Sequence, residues 1–92
     1  MALIPIENPP IATTERGIVF PMLNGDRQQP CLITIEALQD LRTKYHTDAL
    51  EISEAAVFIA RRAEIERLAS RKFDNGDVTE DGLVEVRAQD IP

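Results

Sequence analysis

Residues 52–73, ISEAAVFIARRAEIERLASRKF, contain neither glycine nor proline and are rich in Ala, Glu and Arg. Nothing in that run interrupts the bonding of each amide to the carbonyl four residues back, so it predicts a single helix, roughly 33 Å long at about 1.5 Å per residue. Asp48 with Glu51 offers capping-box chemistry for its start, and Ser53 is a competing N-cap. On a wheel of about 100° per residue, Ala55, Phe58, Ile59, Ile65, Ala69 and Phe73 share one arc, which marks the face that must be buried. Arg62 and Glu66 fall inside that arc. Four residues apart, they bond along the helix. In solvent such a pair contributes about 0.2–0.5 kcal/mol, whereas in a core the loss of either partner strands a charge at about 3–5 kcal/mol. A structural pair at the core edge is the first reading, a recognition site the second and a catalytic pair the third.

The chain on either side tells what this helix packs against. Ile18-Val19-Phe20 is a β-rich run, and Asn24-Gly25 supplies the pair of positive φ angles a tight type I′ turn requires. A hairpin is expected, returning through Cys31, Leu32 and Ile33. Pro21 and Pro30 cannot donate to a ladder, which points to an edge, an irregularity or a loop wider than the turn signal implies. Thr34 then caps a first helix with Glu36 at its positive end, Ile35, Leu38, Leu41 and Tyr45 on its apolar face, and Lys44 and His46 at its close. After Phe73, Asp74-Asn75-Gly76 reads as a helix stop and Asp81-Gly82 as a further turn. Residues 83–88 alternate, with Val84, Val86 and Ala88 on one side and Glu85 and Arg87 on the other, as in a half-buried antiparallel strand. Residues 1–16, with Pro5, Pro9 and Pro10, read as an extended arm with a short edge strand at 2–6. The expectation is one α+β domain over 17–92, of order β-β-α-α-β. A small antiparallel sheet, made of the N-terminal hairpin and the C-terminal strand, packs on two helices, the second spanning about 52–73.

Composition sets the outer bounds. Of 92 residues, 43% are hydrophobic and 28% charged, which suits one globular domain and is too apolar for a disordered chain. With one Cys and no run of ~20 apolar residues, neither an intrachain disulfide nor a membrane span is expected. The first residues carry no basic stretch of the kind that opens a secretory signal, and the expected compartment is the cytoplasm. The net charge of −6 is uneven: −1 over residues 1–35, zero over 36–73 and −5 over 74–92. That balance speaks against nucleic acid as the main partner.

No motif assembles a reaction. Arg61, Arg67, Arg71 and Lys72 form a basic side of the long helix, readable as a solvated face or a phosphate contact, though Glu64 interrupts it and no aromatic interleaves. Asp74, Asp77, Glu80 and Asp81 resemble a calcium loop only superficially, because Gly76 arrives third where an EF-hand needs it sixth. Cys31 and His46, each alone of its type, are separated by a helix that keeps them from pairing, and Cys31 reads as an inert core thiol. No catalytic residue, cofactor or metal ligand set is therefore expected.

The order of Ile18-Val19-Phe20-Pro21, Cys31-Leu32-Ile33-Thr34 with Glu36-Ala37-Leu38, then Phe58 with Arg62, Ile65-Glu66, Leu68-Ala69 and Lys72, and finally Val84-Glu85-Val86 with Asp90, resembles a family of short bacterial proteins classed as a domain of unknown function. The resemblance covers about residues 16–91, and the arm with Pro9-Pro10 departs from it. It implies a compact α+β fold and a bacterial, cytoplasmic setting, marks Arg62 and Glu66 as matching positions, and brings no activity or partner. The residues themselves favour a non-enzymatic regulator or adaptor that binds protein, or binds itself through a sheet edge. Two alternatives stand beside it. One is a nucleic-acid-associated regulator using the basic side; the other is a small acidic inhibitor from a mobile element that mimics nucleic acid through Asp74, Asp77, Glu80, Asp81, Glu85 and Asp90.

Overall fold

In a computed structural model, which describes residues 3–7, 10–44 and 53–91, the chain forms β1 (Ile4–Pro5), β2 (Ala12–Thr13), β3 (Gly17–Asn24), β4 (Arg27–Thr34), α1 (Ile35–Lys44), α2 (Glu54–Ala60), α3 (Arg62–Asp74) and β5 (Val84–Val86), closed by a 3₁₀ turn at Ala88–Asp90. Tyr45, His46, Pro9 and the Asp48/Glu51 pair lie outside the described residues.

The expected hairpin is β3–β4, paired without a break from Gly17 with Thr34 to Asn24 with Arg27. Its loop is only Gly25-Asp26, with Gly25 at φ 66°, so the turn sits one residue later than Asn24-Gly25 suggested and is no wider than the turn signal implied. The prolines cause no irregularity because of their register. Counting alternate positions from the closing Asn24–Arg27 pair, Pro21 opposite Pro30 falls where neither N–H would point at the partner strand. The missing donor of Pro21 acts on the other side of β3. There β1 pairs with Met22 and Leu23, β2 pairs with Ile18 and Val19, and the ladder is interrupted at Pro21 between them. Residues 1–16, expected as an arm, thus supply two short strands along one edge, and Leu3 is buried in the core.

The fold is α+β as expected, with a mixed sheet of five strands in place of an all-antiparallel one of three. The strands run β1-β3-β4-β5, β2 sharing the β3 edge, and β5 lies parallel to β4 with Cys31 opposite Val84 and Ile33 opposite Val86. Between β4 and β5 the chain makes a helical crossover, which returns it to the end where β4 began and so makes the pairing parallel. The final strand is also shorter than 83–88: Val84 and Val86 are buried as predicted, but Ala88 enters the 3₁₀ turn, where the Arg87 amide donates to Asp90 Oδ2 at 2.8 Å.

The long helix is divided. Bonding runs to Arg61, whose amide donates to Val57 O at 3.0 Å, and resumes when Ile65 donates to Arg61 O at 3.1 Å, with Arg61 itself at φ −113°, ψ 18°. The predicted arc needs correction at its margins: Ile59 is 66% exposed, while Val57 and Leu68, off the predicted arc, are buried, so the buried face is turned toward Val57 and Leu68. Phe58, Ile65 and Ala69 are buried as expected, and Phe58 packs on Phe20 with ring centroids 5.0 Å apart. The caps follow the local sequence. The Ala37 amide donates to Thr34 Oγ1 and that of Ala56 to Ser53 Oγ. At the end of α3, Gly76 at φ 75° lets its own amide reach Phe73 O and that of Asp77 reach Lys72 O, a Schellman stop.

Helices α1, α2 and α3 lie on one face of the sheet. Ile18, Phe20 and Met22 of β3, Cys31 and Ile33 of β4, and Val84 and Val86 of β5 point to them and form the core with Leu38, Leu41, Phe58 and Ile65.

Candidate functional site

Arg62 and Glu66 occupy successive turns of α3, and the Nε of Arg62 donates to Glu66 Oε2 at 3.0 Å. The Glu66 side chain is 7% exposed and that of Arg62 28%, so the acid is inside and the base reaches outward from it. What the guanidinium reaches is the N-terminal segment: Arg62 also donates to Ile6 O, and one turn beyond Glu66 the Leu3 amide donates to Ser70 Oγ at 3.0 Å. Arg62, Glu66 and Ser70 form one row along α3 that fastens β1 over the helix. The row accounts for charges on an otherwise apolar arc, since an acid there orients the base that holds a main-chain carbonyl. Beside it a groove of about 480 Å³ opens, lined among others by Leu3, Pro5, Met22, Glu66, Ser70 and Arg71.

The basic residues do not act as one face. Arg67 and Arg71 are exposed, whereas Lys72 is 12% exposed and donates to Asp90 Oδ2 at 2.6 Å while standing 3.2 Å from Asp77. Burial pushes the Asp90 carboxyl up, but the Lys72 hydrogen bond, the Arg87 amide and the two positive charges outweigh it and hold it below the ordinary carboxylate value. Asp77 and Asp90 are thereby paired inside the chain, as is Glu85, which receives Arg16 at 2.8 Å and Arg87 at 3.0 Å. Asp74 closes α3, and Glu80 and Asp81 lie on the exposed return from α3 to β5.

Cys31 is buried in the sheet beneath the helices. Desolvation, with the charge of Glu66 adding to it, pushes its thiol up to about 12. His46 lies outside the described residues. Among the described residues no group of three His, Cys, Asp or Glu could hold a metal ion, and no helix is long and apolar enough to cross a membrane.

What no motif marks is the second face of the sheet. Val19, Pro21 and Leu23 of β3, all half-buried, point there beside Ile4 of β1 and Pro30 of β4; Leu32 of β4 points the same way but is only 1% exposed, and among the described residues no helix lies on this face. Ile4 is 56% exposed. Two hollows mark the surface. One of about 350 Å³ is lined by Pro10, Val19, Pro21 and Pro30, and one of about 380 Å³ by Arg16, Val19, Leu32 and Leu83. Val19 belongs to both, so they form one apolar strip with Glu85, Arg16 and Arg87 at its end. The signal was present in the uninterrupted apolar run 18–23, since a strand covered on one side only alternates with polar residues.

Residues 7–86 match the family described as a protein of unknown function, DUF1488. No curated protein and no solved structure matches the chain significantly.

Proposed function

The chain belongs to the DUF1488 family, whose function is unassigned, and from its own geometry we propose a non-enzymatic cytoplasmic regulator or adaptor that works by binding protein. The observation that supports this reading is the open sheet face. A two-layer α+β domain ordinarily turns polar side chains outward from the uncovered side of its sheet, and here Val19, Pro21, Leu23, Pro30 and Ile4 stand in their place. Apolar surface of that extent, rimmed by the Arg16–Glu85–Arg87 ion pairs, has the anatomy of a protein interface: an apolar centre and a polar margin. The nucleic-acid alternative loses Lys72, which is engaged by two acids. The charge-mimic alternative is weakened in the same way, since Asp77, Glu85 and Asp90 are already paired.

The test is a photo-crosslinking residue placed at Leu23, on the open face, and separately at Glu36, on the exposed side of α1. Illumination in cells should yield protein adducts from position 23 and none from position 36. Equal labelling from both, or none from either, would remove the reading.

A further inference from the structure

We propose that the groove between β1 and α3 is a binding site for a small monoanionic carboxylate with an apolar tail, its headgroup held by Arg67, Ser70 and Arg71. The site opens on the helix side of the sheet, away from the open face, and stands whether or not that face binds protein.

Two elements wall the groove. The Leu3 amide bonds Ser70 and the Ile6 carbonyl bonds Arg62, so β1 runs antiparallel to α3 along its side. Leu3 and Pro5 alternate toward the helix, beside Met22 of β3, with which Pro5 is paired. On the facing side of α3 the side chains of Ala63 and Ser70 are too short to fill the space between the elements. About 480 Å³ is left open, a volume in the range of small-molecule sites.

The groove holds donors that nothing else in the described chain uses. Ser70 Oγ accepts the Leu3 amide, and among the described residues its own proton has no acceptor. Arg67 and Arg71, three residues before Ser70 and one after, line the same groove, are exposed, and meet no acid within ion-pair distance among the described residues. At this spacing the three side chains share one face of the helix. A guanidinium is a planar fork that matches the two oxygens of a carboxylate, and a hydroxyl between two such forks adds a further bond.

Charge sets the valence of the ligand. Glu66 is spent on Arg62, which leaves Arg67 and Arg71 against Asp74, a surplus of one positive charge in a chain of net −6. A monoanion balances that surplus, whereas a dianion such as phosphate exceeds it. The direction of the tail follows from the same residues. Asp74 stands at the C-terminal end of the groove and repels a carboxylate, while Ala63 lies about 10 Å from Ser70 toward the other end, at about 1.5 Å per residue. The tail therefore runs over Met22 and Pro5 toward Ala63, where the lining is apolar.

The experiment is a titration of the full, isotope-labelled chain with octanoate to about 10 mM, followed by the amide shifts in two-dimensional NMR. Saturable shifts should concentrate at residues 3–5, 22 and 63–71. Arg67→Gln and Arg71→Gln, both at exposed positions that leave the core untouched, should each weaken binding by at least about tenfold. Arg27→Gln, which removes the same charge at the far end of the hairpin, should weaken it less than about twofold. Octanamide, with the tail but no charge, and inorganic phosphate, with charge but no tail, should each bind at least about tenfold more weakly than octanoate. No saturable shift, shifts outside the groove, or variants at positions 67 and 71 that bind as the wild type does would overturn the proposal. Octanamide binding equally well removes the headgroup site, and phosphate binding equally well removes the apolar one, so either result also overturns it.

Discussion

The Nε of Arg62 lies 3.0 Å from Glu66 Oε2, and the same guanidinium bonds the carbonyl of Ile6, so one buried acid positions the base that holds the N-terminal strand. The charge with no alternative outlet is Glu66, at 7% side-chain exposure. Arg62→Ala should destabilise the fold by about 3 kcal/mol, because it strands that carboxylate and frees β1 together. Glu66→Gln keeps the shape and an acceptor for Arg62, and its cost should be nearer about 1 kcal/mol. Urea unfolding of both variants and of the double mutant supplies the measurement. A coupling energy indistinguishable from zero would show the pair to be incidental to stability.

Gly17 and Gly25 make a contrast that backbone conformation alone would not predict, since both have positive φ, at 145° and 66°. A Cβ on Gly17 would stand 1.9 Å from Ile33 O in the adjacent strand, whereas one on Gly25 meets nothing within 4 Å. Gly17→Ala should therefore cost about 3 kcal/mol or abolish folding, while Gly25→Asn, a residue tolerant of left-handed backbone, should cost under about 1 kcal/mol. Thermal melts of the two proteins side by side decide the matter, and equal melting temperatures would contradict the close approach at Gly17.

Which features could be read from the residues depends on how local their causes are. Thr34 and Gly76 mark helix ends through bonds spanning three to five residues and act as their neighbours implied, while of the two starts offered for the second helical segment Ser53 is the one whose side chain caps it. The buried Val84 and Val86 followed from alternation alone. The direction of β5 did not, because it depends on how the helical segment crosses the sheet. Nor did the break at Arg61: arginine is a good helix former, so nothing local marks the position. The wheel correctly singled out Arg62 and Glu66 as charges on the wrong side, but their partner, Ile6 O, is 56 residues away along the chain. The open face was legible in the run 18–23, had its lack of alternation been taken as evidence of a second cover.

Cys31 should behave as an inert thiol. With its pKa pushed up to about 12 by burial, first, and by the charge of Glu66, it carries almost no thiolate at neutral pH. Alkylation of the native chain should proceed only as fast as global unfolding exposes the residue, and denaturant should accelerate it sharply. The linkage has a definite sign. Between the unfolded value near 9 and about 12 the native state holds a proton that the unfolded chain has lost, so stability must fall as pH rises through that window. Cys31→Ala should flatten that alkaline decline. Native labelling faster than unfolding, or an unchanged slope in the variant, would contradict the assignment.

Asp90 gives the opposite dependence. It ties the end of the chain to α3 through Lys72 at 2.6 Å and to its own turn through the Arg87 amide at 2.8 Å, and these bonds and the nearby positive charges, outweighing desolvation, depress its pKa. A carboxylate depressed in the folded state contributes stability that is complete above its unfolded value near about 3.9 and is lost as pH falls through the folded one. Asp90→Asn should thus cost about 1 kcal/mol at neutral pH, and the gap to wild type should shrink as the solution is taken below about pH 4. Urea midpoints measured from pH 7 to pH 2.5 test this directly. If the two curves stay parallel over the acid range, the ionised carboxylate is not what holds the 3₁₀ turn against the helix.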